Sequence, residues 1–111
     1  MRLLPLIVER LAALADESRL RLLLTLKAGP ANVGSLAATL GLGQASVSKH
    51  LAILRQAGIV EVRRVGTQSI YSVRDAGVFD LCGLLCDGVT KHLRDQHALL
   101  APESSIEPLN H

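Results

Sequence analysis

A chain of 111 residues with 12 Lys and Arg against 10 Asp and Glu has a net charge of +2 and the size of one mildly basic domain, a balance that does not by itself point to nucleic acid. The hydrophobic fraction is 49%, yet Phe and Tyr occur once each and Trp is absent. The core must therefore be Leu, Val, Ala and Ile, and aromatic stacking platforms for single-stranded nucleic acid are disfavoured. No apolar run reaches the ~18 residues of a membrane span. Glu9, Arg10 and Asp16 interrupt the leucine-rich opening, which reads as an amphipathic helix rather than an export signal. The expected compartment is the cytoplasm, where the two cysteines are reduced at rest.

The first helix is expected over residues 4 to 15, with Leu4, Ile7, Leu11 and Leu14 at helical spacing and Pro5 in its first turn. Asp16 is suited to cap a second helix whose core stripe is Leu20, Leu23, Leu24 and Leu26, ending near Gly29-Pro30. Asn32 caps a short third helix, "VGSLAATL", stopped by Gly41. A fourth runs from about Gln44 to Gln56, with Val47, Leu51 and Leu54 on one face, and ends at Gly58. "IVEVRRV" and "SIYSV" then alternate as strands do, with Gly66-Thr67-Gln68 as the turn. A long last helix starts near Asp75 and continues to about Leu100. Residues 1 to 100 form one domain, and 101 to 111 a flexible tail.

This order, ααααββα, is mainly α with a small β-hairpin. The third and fourth helices are joined only by "GLG", as in a helix-turn-helix. Gln44, Ser46, Ser48, Lys49 and His50 cluster in the first two turns of the fourth helix, the turns that reach base edges when such a helix enters a major groove. Gln pairs with adenine, Ser contacts several bases or phosphates, and Lys49 and His50 suit phosphates or base edges. The hairpin carries Arg63 and Arg64, with Thr67 and Gln68 at its turn. A basic β-ribbon beside a helix-turn-helix is a wing, whose arginines contribute affinity rather than sequence choice. The fold expected is thus a winged helix-turn-helix, and the partner expected is double-stranded DNA.

"LAALADESRLRLLLTLKAG", "SLAATLGLGQASVSKHLAILRQAGIVEVRRVGTQSIYSV" and the last helix together resemble the ArsR/SmtB family of bacterial winged-helix repressors, over roughly residues 7 to 98. The resemblance implies a homodimer built from the first and last helices, and repression by operator occupancy that a ligand relieves. Carried onto this chain, the groove-facing residues are Gln44, Ser46, Ser48, Lys49 and His50. The family often has Ser where this chain has Gly43, which removes a hydroxyl that can touch a phosphate.

Two effector sites familiar in the family lack their ligands here. The start of the third helix, "ANVGSLAA", has no thiol, His or carboxylate. The zinc site of the last helix would begin at Asp75 but continue near Gly77, Gly88 and Lys91, which are not normal zinc ligands. His92 and His97, five apart, read as surface residues. What remains is "DLCGLLCDG". Cys82 and Cys86, at i and i+4, lie on one helix face about 5–6 Å apart at Cβ, wider than the ~3.8 Å of a disulfide. That spacing suits a soft metal or metalloid ion, or oxidative or persulfide chemistry at each thiol. The bland alternative is two small apolar side chains in a helix. No cofactor is required. Three functions stay open: a repressor with a thiol-based effector site, a repressor without a small-molecule site, and a winged-helix interaction module. An enzyme is not expected.

Overall fold

A computed structural model describes residues 2–100, so the tail expected over 101–111 lies outside the described residues. The elements follow the expected order with one addition. Helix α1 spans Leu3–Leu14, α2 Glu17–Leu26, α3 Val33–Leu40, α4 Gln44–Gln56 and α5 Gly77–Leu100; strand β1 is Ala31–Asn32, β2 Val60–Val65 and β3 Gln68–Val73. The described residues up to Ala76 form one compact unit, and those of α5 form another. Among the described residues, no helix is long and apolar enough to cross a membrane.

Local chemistry accounts for most boundaries. The Asp16 carboxylate accepts from the Arg19 backbone N–H at 3.0 Å and starts α2. Asn32 Oδ1 accepts from the Ser35 N–H at 2.7 Å and starts α3. Gly41 ends α3 at φ +67, a left-handed conformation that costs glycine nothing. Replacing Asn32 by Ala is expected to cost about 1 kcal/mol through the lost cap. Urea denaturation reads this as a lower midpoint; an unchanged midpoint would mean the cap does not hold α3.

The sheet differs from the sequence expectation. It has three antiparallel strands in the order β1-β3-β2, because Ala31 and Asn32 pair with Tyr71 and Ile70. The hairpin closes at Val65↔Gln68, so its loop is Gly66-Thr67 alone and Gln68 belongs to β3. Gly66 has φ +63, the positive value that a two-residue hairpin loop needs at its first position.

The core of the first unit is aliphatic. Leu22, Leu36, Val47, Leu51, Leu54 and Ile59 are all completely buried. In α2 the buried stripe is Leu22, Leu23 and Leu26, while Leu24 is 60% exposed and Leu20 half-buried, which corrects the expected stripe. In α1 only Ala13 and Leu14 are buried, whereas Leu4, Ile7 and Leu11 are exposed. Helix α1 is instead held by Arg10. Its Nη2 donates to the Ala57 carbonyl at 2.8 Å and its Nη1 to Asp75 Oδ2 at 2.5 Å. Gly58, at φ +78, leaves room for this: a Cβ there would stand 2.9 Å from Arg10 Nη2. Asp75, the first position compared with the zinc-ligand pattern, is therefore engaged by Arg10.

Candidate functional site

Helix α4 buries one side and offers the other. Val47, Leu51 and Leu54 anchor it, and α3 leads into it through a left-handed Gly41 and an extended Gly43. Gln44, Ser46, Ser48 and Lys49 are all exposed on its first two turns. Exposed donors and acceptors on a rigidly anchored helix form the arrangement that edge-reading of DNA requires.

His50 is placed differently from these four. Its side chain is only 20% exposed, with Nδ1 3.2 Å from Arg19 Nη1 and 3.8 Å from Asp16 Oδ2. The ring thus sits between the exposed face of α4 and the start of α2. No sequence pattern marks Arg19, because its contact with His50 spans 31 residues of chain, although its other partners are local. Its Nε donates to the Ala13 carbonyl at 2.6 Å and its Nη2 to the Ala12 carbonyl at 3.3 Å. The Arg19 backbone N–H, chiefly, holds the Asp16 carboxyl below the ordinary value, and the Arg19 charge acts in the same direction.

The wing residues spread over both faces of the ribbon. Alternation puts Glu61, Arg63 and Val65 on one face, and Val60, Val62 and Arg64 on the other. Arg63 and Arg64 are both exposed, and Arg64 Nη1 donates to the hydroxyl of Ser69, its cross-strand partner, at 3.3 Å. Thr67 is exposed at the tip. Gln68 Oε1 accepts from Asn32 Nδ2 at 3.3 Å, so the wing touches the residue that caps α3. Asn32, Val33, Gly34, Gln68 and Ser69 line a shallow depression at this junction.

In α5, Cys82 is half-buried and Cys86 exposed, and both are free thiols. A shallow groove beside Cys86 is lined by Asp87, Thr90, Lys91, Arg94 and Asp95. Leu84, Leu85, Val89 and Leu93 are exposed on the same helix, as are His92 and His97. Among the described residues, no group of three or more His, Cys, Asp or Glu is placed to hold a metal ion.

Similarity to known proteins is consistent over most of the chain. The family described as bacterial regulatory protein, arsR family, matches residues 16–62. The HTH-type transcriptional regulator NmtR of Mycobacterium tuberculosis is 40% identical over 75 residues, 68% of this chain and 62% of that protein. The HTH-type transcriptional regulator CmtR of Mycobacterium bovis is 39% identical over 95 residues, 86% of this chain and 80% of CmtR. A solution structure of a homodimeric winged helix-turn-helix DNA-binding domain from Mycobacterium bovis superposes with a TM-score of 0.74 at 31% identity, covering 85% of this chain and 87% of that one.

Proposed function

The chain belongs to the ArsR family of bacterial regulatory proteins, and from that premise we propose that it is a homodimeric transcriptional repressor whose operator is released by a thiol-directed effector at Cys82 and Cys86. The observation that carries the DNA-binding part is α4: completely buried Val47, Leu51 and Leu54 behind, exposed Gln44, Ser46, Ser48 and Lys49 in front. Arg63, Arg64, Thr67 and Gln68 of the wing extend that surface along the phosphate backbone. The relatives support the same class: they are named as transcriptional regulators, and the superposed domain is described as homodimeric and DNA-binding.

The dimer is supported by apolar surface that the chain leaves uncovered. Leu3, Leu4, Leu6, Ile7, Val8 and Leu11 on α1 are 45–60% exposed, and Leu84, Leu85, Val89 and Leu93 on α5 are 45–70% exposed. Contiguous apolar stripes of this kind mark association surfaces. The effector site is supported by the exposure of Cys86, the half-buried position of Cys82 and their i, i+4 spacing. Two thiolates suit a soft ion such as As(III), Cd(II) or Hg(II), any further ligand coming from the partner or from solvent. Oxidation or persulfidation of each thiol is the other chemistry the pair allows.

Mobility shifts test the DNA reading. Gln44→Ala or Ser48→Ala is expected to weaken operator binding by roughly 1–3 kcal/mol while leaving affinity for unrelated DNA nearly unchanged. Arg64→Ala is expected to weaken both alike and to reduce the slope of log K against log salt by about 0.9. Wild-type behaviour in all of these variants would place the recognition surface elsewhere.

A further inference from the structure

We propose that Arg19 is a positioning residue for DNA binding, fixing the His50 ring so that its Nε2–H is presented to a DNA phosphate. This rests on the DNA-binding reading above. A guanidinium has donors and no acceptor. The 3.2 Å contact between Arg19 Nη1 and His50 Nδ1 therefore makes Nδ1 the acceptor and leaves the ring proton on Nε2. Nε2 has no hydrogen-bond partner among the described residues, and no buried side-chain nitrogen among them is left unpaired, so Nε2 reaches solvent. His50 stands one helical turn after Ser46 and next to Lys49, both exposed. The outward N–H thus lies at the border of the recognition face, where a donor can meet a phosphate oxygen.

Arg19 is itself tightly held. The carbonyls of Ala12 and Ala13 at the end of α1 accept from its Nη2 and Nε, and Asp16 accepts from its backbone N–H. With these anchors the guanidinium is not free to swing toward DNA, so its effect on binding passes through the His50 ring. Lys49 contributes charge from a flexible stem, whereas His50 contributes a donor of fixed direction.

A double-mutant cycle on the full chain, read by operator affinity over a salt series, tests this. His50→Ala is expected to weaken operator binding roughly tenfold, the worth of one hydrogen bond to a charged group. His50→Gln, whose amide has an acceptor for Arg19 and an N–H for the phosphate, is expected to restore most of that loss. Arg19→Met is expected to weaken binding several-fold with His50 present, to have no further effect in the His50→Ala background, and to leave the salt slope unchanged. Equal effects of Arg19→Met in both backgrounds, or a slope lower by about 0.9, would overturn the proposal, the latter by showing Arg19 on a phosphate itself. Long-range proton–nitrogen NMR of the wild-type His50 ring in its neutral form does not depend on how the variants fold. The Nε2–H form supports the proposal and the Nδ1–H form overturns it. If the reduced wild-type chain binds its own upstream DNA but the cycle is additive, only this inference fails. If it binds no DNA at all, the repressor reading fails with it.

Discussion

Replacing both Cys82 and Cys86 with serine is expected to leave operator binding intact and to abolish release by arsenite, cadmium, polysulfide or peroxide. The thiols are on α5, in a different compact unit from α4 and the wing, so the substitution leaves the reading surface untouched. Serine is nearly isosteric, and Cys86 is exposed and Cys82 half-buried in the single chain, so folding is preserved, with a cost of about 1–2 kcal/mol for a hydroxyl that the dimer buries. The single variants separate the two chemistries. Chelation needs both sulfurs, so either Cys→Ser change removes the response completely. Independent oxidation leaves a partial response in each. Release of the double variant by the same agents at the same doses would mean that the cysteines sense nothing.

Ile7→Glu combined with Leu11→Glu is expected to convert the dimer to a monomer and to lower operator affinity by about 100-fold or more. Both side chains are exposed in the single chain, at 45% and 48%, so the substitutions remove little from the core of the first unit. In a two-fold interface each change counts twice. Burying the exposed halves of four such side chains is worth roughly 3–6 kcal/mol, about half of the ~1.5–3 kcal/mol that full burial gives each, and buried carboxylates oppose association further. The affinity falls because a monomer holds one half-site where a dimer holds two. Light scattering at micromolar concentration reads the association state, and circular dichroism shows that the helices persist. A wild-type monomer at that concentration, or a double variant that still dimerises, would place the interface elsewhere.

Where a local chemical signal marks an element, the sequence was sufficient. Asp16 and Asn32 cap the helices they precede, Gly41 closes α3, and α4 spans Gln44–Gln56 with Val47, Leu51 and Leu54 inward. The polar front of α4 is legible for the same reason, since three inward positions fix the direction of the others. Where the pattern is degenerate, the sequence reading slips. In "SRLRLLLTL" leucines satisfy more than one helical stripe, and only packing selects Leu22 over Leu24 for the interior. Strand β1 has two residues, too few to show a period, and exists because β3 pairs with it across about forty residues of chain. His50 belongs by composition to the polar cluster of α4, yet its ring turns to Arg19, thirty-one residues earlier. Such contacts arise only when α2 and α4 meet.

The central claim is that this chain reads one DNA site through α4 and the wing and that a thiol effector ends the reading. The direct measurement is protection of the DNA upstream of the chain's own coding sequence by reduced wild-type protein, followed as arsenite, cadmium, polysulfide or peroxide is added. The account predicts a protected site with two similar halves about one helical turn apart, affinity that falls steeply with salt, and loss of protection on addition of at least one of these agents. Equal affinity for that fragment and for unrelated DNA, with no protected site in the reduced protein, would contradict it.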